Sequence, residues 1–480
     1  MRCWQDSAFA RTAILLANEV PFMPDYHGIC RAELLGRINL GDYSLAWFAS
    51  RPFPKSQVWA MDPDRIAGLL RLEGNMYVGR LTGYEQIKVQ FDSKDKKVLP
   101  RNLGIFGTVG SGKTNTAQVL IEETTSSGWS VVVLDVEGEY VSMDKPSAEQ
   151  KQNRRLNGLM QSFGVSPRGI DGIQVYRCPG TESKRKDAKE FSIRFGNLSP
   201  YALSEIMGLN ENQELRFLEL FDDVLGELKS SPKAKTTSKK SKWDRFAGEP
   251  IVGLDPLPEL TLDYLAQRLQ TRIKDTKGAD RASWRKVQQL IANLQRYRIF
   301  DSTKYTLRVA DILKPGLLSV FDLSDSTNVR INNIIIAEIL RLIFTEKVKN
   351  VDAQPTLILI EEAHTFVSRE NVKSMEETMD MLREISRRGR KRWLGLGFIS
   401  QQPAHLPNEI YELCNTKIVN QTTGSRNLDA LKVSAGSVNE AIWNEVPLFG
   451  QGRALIVTPQ FSHPVLCDVR PCLTQREFTD

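Results

Sequence analysis

The chain has 480 residues, of which 41% are hydrophobic and 25% charged, and these proportions exclude a disordered chain, a coiled-coil rod and a collagen-like protein. Its 64 Lys and Arg residues against 58 Asp and Glu residues give a net charge of +6, which permits a nucleic-acid partner without indicating one. Its apolar runs are far shorter than the roughly 18 residues of a membrane-spanning helix, and its six cysteines are scattered without a CxxC pair. We therefore expect a cytoplasmic protein of two or three domains that does not contact a membrane.

The first part of the chain, 1–95, predicts a small β-rich, barrel-like domain. The segment Asn75–Phe91 is typical of two short strands around Thr82-Gly83, because Ile87 and Val89 alternate with polar residues in the second half.

The next part, 96–140, predicts a βαβ unit. The apolar run Leu103–Phe106 leads through a Gly-rich loop into a helix from about Lys113 to Thr125. A second apolar run, Ser130–Val136, follows as a buried strand.

Residues 141–310 are polar and mostly helical in pattern, and we interpret them as an insertion. The lysine-rich runs Ser183–Lys189 and Lys233–Lys242 within it favour solvated loops. Strands and helices alternate again over 311–460, which predicts an α/β core with a mostly parallel sheet, and 461–480 is interpreted as a C-terminal tail. The predicted strands there are Leu317–Leu323, Thr356–Ile360, Leu394–Ser400, Lys417–Asn420 and Ala454–Val457, and the predicted helices are Ile331–Phe344 and Met375–Arg388.

The strongest motif is the P-loop pattern GxxxxGK[ST], which lies between a predicted strand and a predicted helix. Its backbone N–H groups and the helix N-terminus suit a polyphosphate, so we expect ATP with Mg²⁺. Lys113 would reach the β- and γ-phosphates, and Thr114 would bind the metal. A chance Gly-rich turn is the alternative, which the strand–loop–helix context disfavours. The predicted nucleotide-binding residues are Gly107, Thr108, Val109, Gly110, Ser111, Gly112, Lys113, Thr114 and Asn115.

Two carboxylates end the apolar strand Thr356–Ile360, where burial is costly unless they face a polar site. We interpret Glu361 as a Mg²⁺ ligand and Glu362 as the residue that polarises the attacking water. The alternative is a pair of exposed carboxylates at the start of a helix.

Two other predicted strand ends carry polar residues. Asp135 should lie near the phosphates, because the carboxyl ends of parallel strands meet at one crevice. Gln401 can sense the γ-phosphate or orient water. The alternatives are a solvated turn around Gly138 and a simple strand-ending turn before Pro403.

Five of the six residues of Arg387–Arg392 are basic. Cations complement a helix C-terminus, and Gly389 would end the helix there. The excess is also explained by an arginine offered to the nucleotide of a neighbouring subunit, with Arg390 the first choice and Arg388 the second. The sequence leaves both explanations open.

In order and spacing, five segments resemble the HerA-like branch of the HerA/FtsK ATPases, over about 95–140 and 315–460. They are IFGTVGSGKTN, LDVEGEY, LILIEEAH, RRGRKRWLGLGFISQQPAHLP and LFGQGRALIVTP. The resemblance implies a RecA-like P-loop core behind an N-terminal barrel that serves in assembly, to which YVGRLTG would belong.

By position, the resemblance implies a P-loop pair in Lys113 and Thr114, an acidic pair in Glu361 and Glu362, and a sensor in Gln401. Asp135 matches the acidic residue after the second strand, and Arg390 falls in the RGRK segment that supplies the trans arginine. A further arginine of some members corresponds to Arg101. The chain departs from the family pattern by having Glu at 361, where Asp is common, and by a short N-terminal domain.

The resemblance also implies partners. It predicts a hexameric ring with ATP sites between subunits, which translocates on or unwinds double-stranded DNA. It further predicts a nuclease or NAD-consuming effector encoded nearby, in antiphage defence or DNA-end processing. Ser368–Lys373 is a possible pore loop. The alternative function is an ATP-regulated scaffold that assembles and activates an effector with little motor activity.

Overall fold

A computed structural model of the chain divides into two units, Met1–Leu70 and Arg71–Asp480. The residues described are 36–39, 45–46, 61–147, 154–230, 260–303, 306–326, 328–350, 352–369, 376–436 and 438–477.

In the first unit, the strands β1 (Arg37–Ile38) and β2 (Leu45–Ala46) pair antiparallel, and helix α1 spans Pro63–Leu70. Most of the predicted N-terminal domain lies outside the described residues, so its barrel stays a prediction.

The second unit contains a single large sheet in which the described strands follow the order β4-β3-β14-β13-β12-β5-β11-β10-β6-β9-β7-β8. Pairing is parallel from β12 to β8 and antiparallel from β12 through β13 and β14 to β4. The strands are β3 (Met76–Leu81), β4 (Tyr84–Phe91), β5 (Asn102–Phe106), β6 (Ser130–Asp135), β7 (Ile173–Arg177), β8 (Lys189–Glu190), β9 (Leu318–Asp322), β10 (Thr356–Ile360), β11 (Leu394–Ser400), β12 (Cys414–Asn420), β13 (Arg453–Val457) and β14 (Val465–Val469).

The parallel strands are apolar along their length because helices cover both faces of the sheet. Every residue of β5, β6, β9, β10 and β11 is buried. The predicted α/β fold with a mostly parallel sheet is therefore confirmed. The described helices of this unit are α2 (Lys113–Ser126), α3 (Arg154–Phe163), α4 (Pro200–Met207), α5 (Glu211–Ser230), α6 (Leu262–Asp275), α7 (Ala279–Arg296), α8 (Val309–Ile312), α9 (Val329–Lys349), α10 (Ala363–Phe366), α11 (Glu376–Gly389), α12 (Asn408–Leu413), α13 (Ser425–Ser434) and α14 (Glu440–Glu445). In this part of the chain, no helix has the length and hydropathy needed to cross a membrane.

Helix α9 shows how local sequence sets an element. The Asn328 side chain caps its N-terminus by accepting hydrogen bonds from Arg330 N at 3.0 Å and Ile331 N at 3.3 Å. Ile335 and Ile339, four residues apart, are both buried, as the predicted apolar face requires.

The antiparallel edge of the sheet differs from the predicted domain plan. The hairpin of β3 and β4 turns at Gly83, with φ of 84°, where the sequence predicts two strands. That hairpin belongs to the large sheet and not to a separate domain up to residue 95, because β14 pairs with β3 along Gly79 to Leu81. The residues 461–480, predicted as a C-terminal tail, therefore include a strand of the sheet. The approach is close: a Cβ on Gly79 would stand 2.3 Å from the carbonyl oxygen of Asp468.

The predicted insertion, 141–310, contains α3 to α7 and also the sheet strands β7 and β8. Of its two lysine-rich runs, Ser183–Lys189 is described, and Arg185 pairs there with Asp144 at 2.7 Å. The other run, Lys233–Lys242, lies outside the described residues.

Candidate nucleotide-binding site

Because the strands β5, β6, β10 and β11 run parallel, their carboxyl ends lie side by side at one end of the sheet. The register Leu134–Ile360–Phe398 runs across β6, β10 and β11, and Ser400 pairs with Phe106 of β5. The P-loop, the carboxylate pair and the Ser-Gln turn all follow these strands directly, so they share a single edge, as the sequence predicts.

The P-loop joins β5 to α2 through backbone conformations that favour glycine. Gly110 and Gly112 have φ of 73° and 99°, in the left-handed region. Gly107 is needed for a different reason, since a Cβ there would stand 2.6 Å from Ser111 Oγ and 2.9 Å from Asn420 Cβ. The loop is held to β12 by Thr108 N, which donates to the carbonyl oxygen of Gln421 at 2.9 Å.

Two side chains point into this loop without an ionic partner of their own. Lys113 is 6% exposed, and its Nζ donates to the carbonyl oxygen of Thr108 at 3.1 Å. Burial lowers the pKa of Lys113, and the negative charges of Glu362, Glu139 and Glu361 oppose that change. Ser111 Oγ is fully buried and has no hydrogen-bond partner among the described residues. A phosphate in the loop would supply the missing charge and acceptor.

The two carboxylates after β10 have different surroundings. Glu361 is buried, and its Oε2 accepts a hydrogen bond from Glu137 N at 3.2 Å. Burial raises its pKa well above the usual range, and the neighbouring charge of Asp135 raises it further. Burial beside the Asp135 carboxyl therefore favours the uncharged form of Glu361.

Asp135 closes the turn that follows β6. Its Oδ1 accepts hydrogen bonds from Gly138 N at 2.7 Å and Glu139 N at 3.1 Å, and its Oδ2 accepts from Tyr140 N at 3.0 Å. Burial raises the pKa of Asp135 to about 6, against these bonds. Its oxygens are thus committed to the turn and to Glu361, where the sequence predicts a contact with the nucleotide.

Glu362 is turned towards the P-loop side by an unusual backbone. Its φ of 42° is in the left-handed region, which non-glycine residues rarely adopt. Its Oε2 lies 3.1 Å from His364 Nδ1 and accepts a 3.4 Å hydrogen bond from Gln401 N. Ser400 Oγ is 3.3 Å from the same His364 nitrogen. The arrangement brings Glu362 and Gln401 together, and His364 is a further partner of Glu362.

Asn115 is the predicted nucleotide residue with a clear structural function. Its Nδ2 donates to the carbonyl oxygen of Arg470 at 2.8 Å, and its Oδ1 accepts from Cys472 N at 2.9 Å. On the same face of α2, the buried Glu122 accepts from Leu473 N and binds Arg470 at 2.8 Å. The sequence of α2 is polar at most positions, so no local signal marks Asn115 and Glu122 as partners of the C-terminal segment.

The arginines of Arg387–Arg392 lie at the opposite end of the sheet, beside the amino ends of the parallel strands. Arg387 and Arg388 end α11, Arg390 begins a 3₁₀ turn (Arg390–Arg392), and β11 starts only afterwards. Arg390 is exposed, and Arg388 pairs with Glu384 at 3.5 Å. The seven residues of β11 separate them from the P-loop edge by roughly 23 Å. The sheet therefore does not bring Arg388 or Arg390 to the P-loop of its own chain.

The oxygen ligands near the loop suit Mg²⁺, which prefers hard oxygen donors and keeps several waters. Thr114 is half-buried at the start of α2, and Glu361 and Glu362 carry carboxyl groups at the same edge. The described residues hold no group of three or more acidic, His or Cys side chains arranged for a metal. Phosphate and water oxygens would therefore complete the coordination.

The chain is similar to known proteins over most of its length. A family model described as "Helicase HerA, central domain" matches residues 76–343. The DNA double-strand break repair helicase HerA of Pyrococcus furiosus is 22% identical over 432 residues, which are 81% of this chain and 68% of the relative. A probable DNA double-strand break repair helicase HerA of Methanocaldococcus jannaschii is 23% identical and covers 87% of this chain and 80% of its own.

Solved structures with the same fold include VirB4 of Thermoanaerobacter pseudethanolicus. It superposes with a TM-score of 0.56 at 14% identity, over 82% of this chain and 96% of that one. The plasmid coupling protein TrwB in complex with the GTP analogue GDPNP superposes with a TM-score of 0.50 at 11% identity, over 86% and 94% of the two chains. At these identities the likeness establishes the fold alone.

Proposed function

The chain belongs to the family of the HerA helicase central domain, and we propose that it is a Mg²⁺-dependent ATP hydrolase that translocates on or unwinds double-stranded DNA. The relatives named as HerA helicases support the DNA substrate. One observation carries the proposal: the buried Lys113 and Glu362, whose backbone is in the left-handed region, lie at the same end of the sheet, where the charge of Glu362 opposes the lowering of the Lys113 pKa by burial.

The chain's own residues account for the chemistry. Lys113 binds the β- and γ-phosphates and neutralises charge that develops on them. Glu362 accepts a proton from the attacking water, and the main chain of Gln401, which donates to Glu362, fixes the direction of that carboxylate. Mg²⁺ held by Thr114 and an acidic residue would offset negative charge on the phosphates. Glu361, in its ionised form, is the predicted ligand.

Within a single chain, neither Arg388 nor Arg390 reaches the P-loop. Arg388 and Arg390 lie at the far edge of the sheet, where they are available to a neighbouring copy. A head-to-tail ring would bring this edge of one subunit to the P-loop edge of the next. The hexameric ring that the resemblance predicts is of this kind, and it is part of the proposal.

ATP turnover, measured with and without duplex DNA, tests the function. We expect duplex DNA to stimulate turnover several-fold in the native chain, and we expect Lys113→Ala to abolish turnover under both conditions. Displacement of a labelled strand, or of a protein block from the duplex, tests movement directly. Turnover that DNA leaves unchanged, with no displacement, would contradict the motor and favour the alternative, a nucleotide-regulated scaffold.

The partner nuclease or NAD-consuming effector and a role in antiphage defence or DNA-end processing complete the proposal. They rest on the family resemblance and stay predictions. Co-purification of the native and Lys113→Ala chains from the source cell, followed by assay of the bound fraction for nuclease and NAD consumption, tests them.

A further inference from the structure

Helix α7 of the inserted segment has one buried, apolar side and one exposed, basic side. The exposed side carries Arg281, Arg285 and Arg296, which we call the α7 arginine stripe. The mechanism proposed above does not use this helix. Its buried residues follow the three- and four-residue spacing of an amphipathic helix, and they are Trp284, Val287, Ile291 and Leu294.

Contacts with the neighbouring helices α5 and α6 fix the orientation of α7. Trp284 is 2% exposed and contacts two guanidinium groups, with the Arg216 carbon 5.5 Å and the Arg272 carbon 5.1 Å from its ring centroid. Arg216, on α5, also binds Asp280 in the first turn of α7 at 2.8 Å. Because the buried side is held against α5 and α6, the arginine stripe lies on the side that faces solvent.

The arginines of α5 and α6 differ from the α7 arginine stripe in how they are paired. Each arginine of α5 and α6 binds at least one carboxylate. Within the part of the chain that the structure describes, no side chain forms an ion pair or a hydrogen bond with the stripe. The single acidic residue of α7 is Asp280, which is bound by Arg216. The pairs on α5 and α6 are Arg216 with Glu219 and Asp280, Arg268 with Glu227, and Arg272 with Glu219 and Asp223.

The stability of the helix does not explain the stripe as a whole. Arg296 is in the last turn, where a cation complements the helix dipole. Arg281 is in the first turn, where the dipole disfavours a cation. An anion bound along the exposed side would offset that cost and supply the partner that the stripe lacks within the described chain.

The composition of the exposed side favours nucleic acid over a protein as the source of that anion. Beside the stripe it exposes Lys286, Gln289 and Asn293, and no large apolar side chain of α7 is exposed. Protein interfaces generally depend on buried aromatic or apolar anchors, whereas arginine, lysine, glutamine and asparagine bind phosphate oxygens. From Arg281 to Arg296 the helix rises about 22 Å, which spans several phosphates, since one DNA strand carries a phosphate about every 3.4 Å.

We propose that the α7 arginine stripe binds the phosphate backbone of duplex DNA, at a place separate from the nucleotide site. The identity of the polymer, duplex DNA, rests on the proposed function. Contacts to phosphate do not read base sequence, so the stripe holds any duplex. Binding releases counterions from the DNA, so its strength falls steeply as salt concentration rises.

Duplex binding by two triple variants, measured by fluorescence anisotropy over a range of salt concentrations, tests the proposal. Arg281→Gln with Arg285→Gln and Arg296→Gln removes the three charges, and the corresponding triple change to Lys keeps them. At about 0.1 M salt we expect the glutamine variant to lose about tenfold or more in affinity, equally for two duplexes of unrelated sequence. The slope of log affinity against log salt should become shallower by roughly 2–3, because each phosphate contact contributes about 0.9. The lysine variant should stay within about threefold of the native chain.

A matched pair of single variants controls for total charge. Arg285→Gln and Arg308→Gln each remove one exposed arginine, and Arg308, outside α7, already binds Asp311. We expect Arg285→Gln to reduce the salt slope by about one and Arg308→Gln to leave it unchanged. ATP turnover without DNA should be native in every variant, because none of these residues belongs to the nucleotide site.

Native affinity and native salt dependence in the triple glutamine variant would overturn the inference, even where DNA stimulates turnover. Equal losses in the glutamine and lysine variants would also overturn it, because the effect would then not depend on charge. So would displacement of the duplex by polyglutamate at equal charge concentration, since the surface would then suit an acidic protein. Failure of duplex DNA to stimulate turnover in the native chain would instead refute the proposed function.

Discussion

The two ends of the same parallel strands have opposite chemistry. At the carboxyl end, Asp135, Glu361 and Glu362 are at most 6% exposed, and each has hydrogen bonds from backbone groups nearby. At the amino end, Arg387 at the end of α11 and Arg390 at the start of the 3₁₀ turn are exposed, and Lys391 and Arg392 follow in that turn. The carboxyl end is therefore a buried, preorganised site, whereas the amino end exposes positive charge that another molecule can contact.

This difference indicates how hydrolysis can depend on assembly. A buried carboxylate edge is organised before any ligand arrives, which favours electrostatic catalysis. An exposed arginine contributes little until a neighbouring subunit excludes water around it, because charges interact weakly in water. Turnover would then require the two ends to meet across a subunit contact, and subunit motion would control it.

We expect the largest effect when the cations at the amino end are removed, which tests whether turnover needs both ends. Because a trans arginine typically contributes at least 10³-fold, we expect Arg388→Ala with Arg390→Ala to lower the turnover number by roughly that factor. The affinity for nucleotide should change little, since neither residue lies at the P-loop of its own chain. Steady-state ATP turnover together with nucleotide titration measures both quantities.

Mixing two inactive chains separates action in trans from action in cis. An equimolar mixture of Lys113→Ala chains with chains lacking both arginines should regain up to about a quarter of native turnover, if subunits assort randomly in a head-to-tail ring. In such a ring, one quarter is the probability that a given subunit contact joins an intact P-loop to intact arginines. A mixture as inactive as its components would show that the arginines do not act across the contact.

Removing the charge of Glu362 tests the carboxyl end. Glu362→Gln should lower turnover by roughly 10²-fold, since it removes a positioned proton acceptor, while MgATP still binds. The matched control is Glu137→Gln, an exposed acidic residue at the same edge, for which we expect turnover within about twofold of native. If the two variants are equally active, Glu362 is not the proton acceptor.

The sequence predicts the carboxyl end better than the rest because local patterns determine it. An apolar run of five residues followed by Glu361 and Glu362 favours a buried strand that ends at a polar site over exposed carboxylates at the start of a helix. The raised pKa of Glu361 could not be predicted, because it depends on the register that places Asp135, at the end of β6, beside β10.

Contacts between distant parts of the chain account for the other differences between the sequence prediction and the structure. β14 and the C-terminal segment look like a tail in sequence, yet Val465–Val469 completes the antiparallel edge. Arg470 is 0% exposed and binds Glu122, 348 residues away. A local sequence pattern cannot predict a contact between residues so far apart in the chain. The β3–β4 hairpin joins neighbouring segments, so the sequence predicts it.

The smallest predicted effect concerns how rigidly the amino end is held. Lys347, at the end of α9, is fully buried, and its Nζ donates to the carbonyl oxygens of Ala353 at 3.0 Å and Arg392 at 3.2 Å. It thereby ties α9 to the turn that carries Arg390. Burial lowers the pKa of Lys347 from 10.5 to about 8, so the cation is disfavoured in the folded chain.

The sign of the resulting pH effect follows from proton counting. Below about pH 8 the lysine is charged in both the folded and the unfolded chain, and the cost of burying the charge applies in full. Between about pH 8 and 10.5 the folded chain has already released the proton that the unfolded chain keeps, so the free energy of unfolding rises with pH. Relative to Lys347→Met, which cannot titrate, the native chain should gain about 1–3 kcal/mol over this range in denaturant titrations. The exposed neighbour Lys349, replaced in Lys349→Met, should leave the native pH dependence unchanged. If Lys347→Met keeps that dependence too, the buried lysine does not titrate in this range, and the turn at the amino end is held by a permanently charged group.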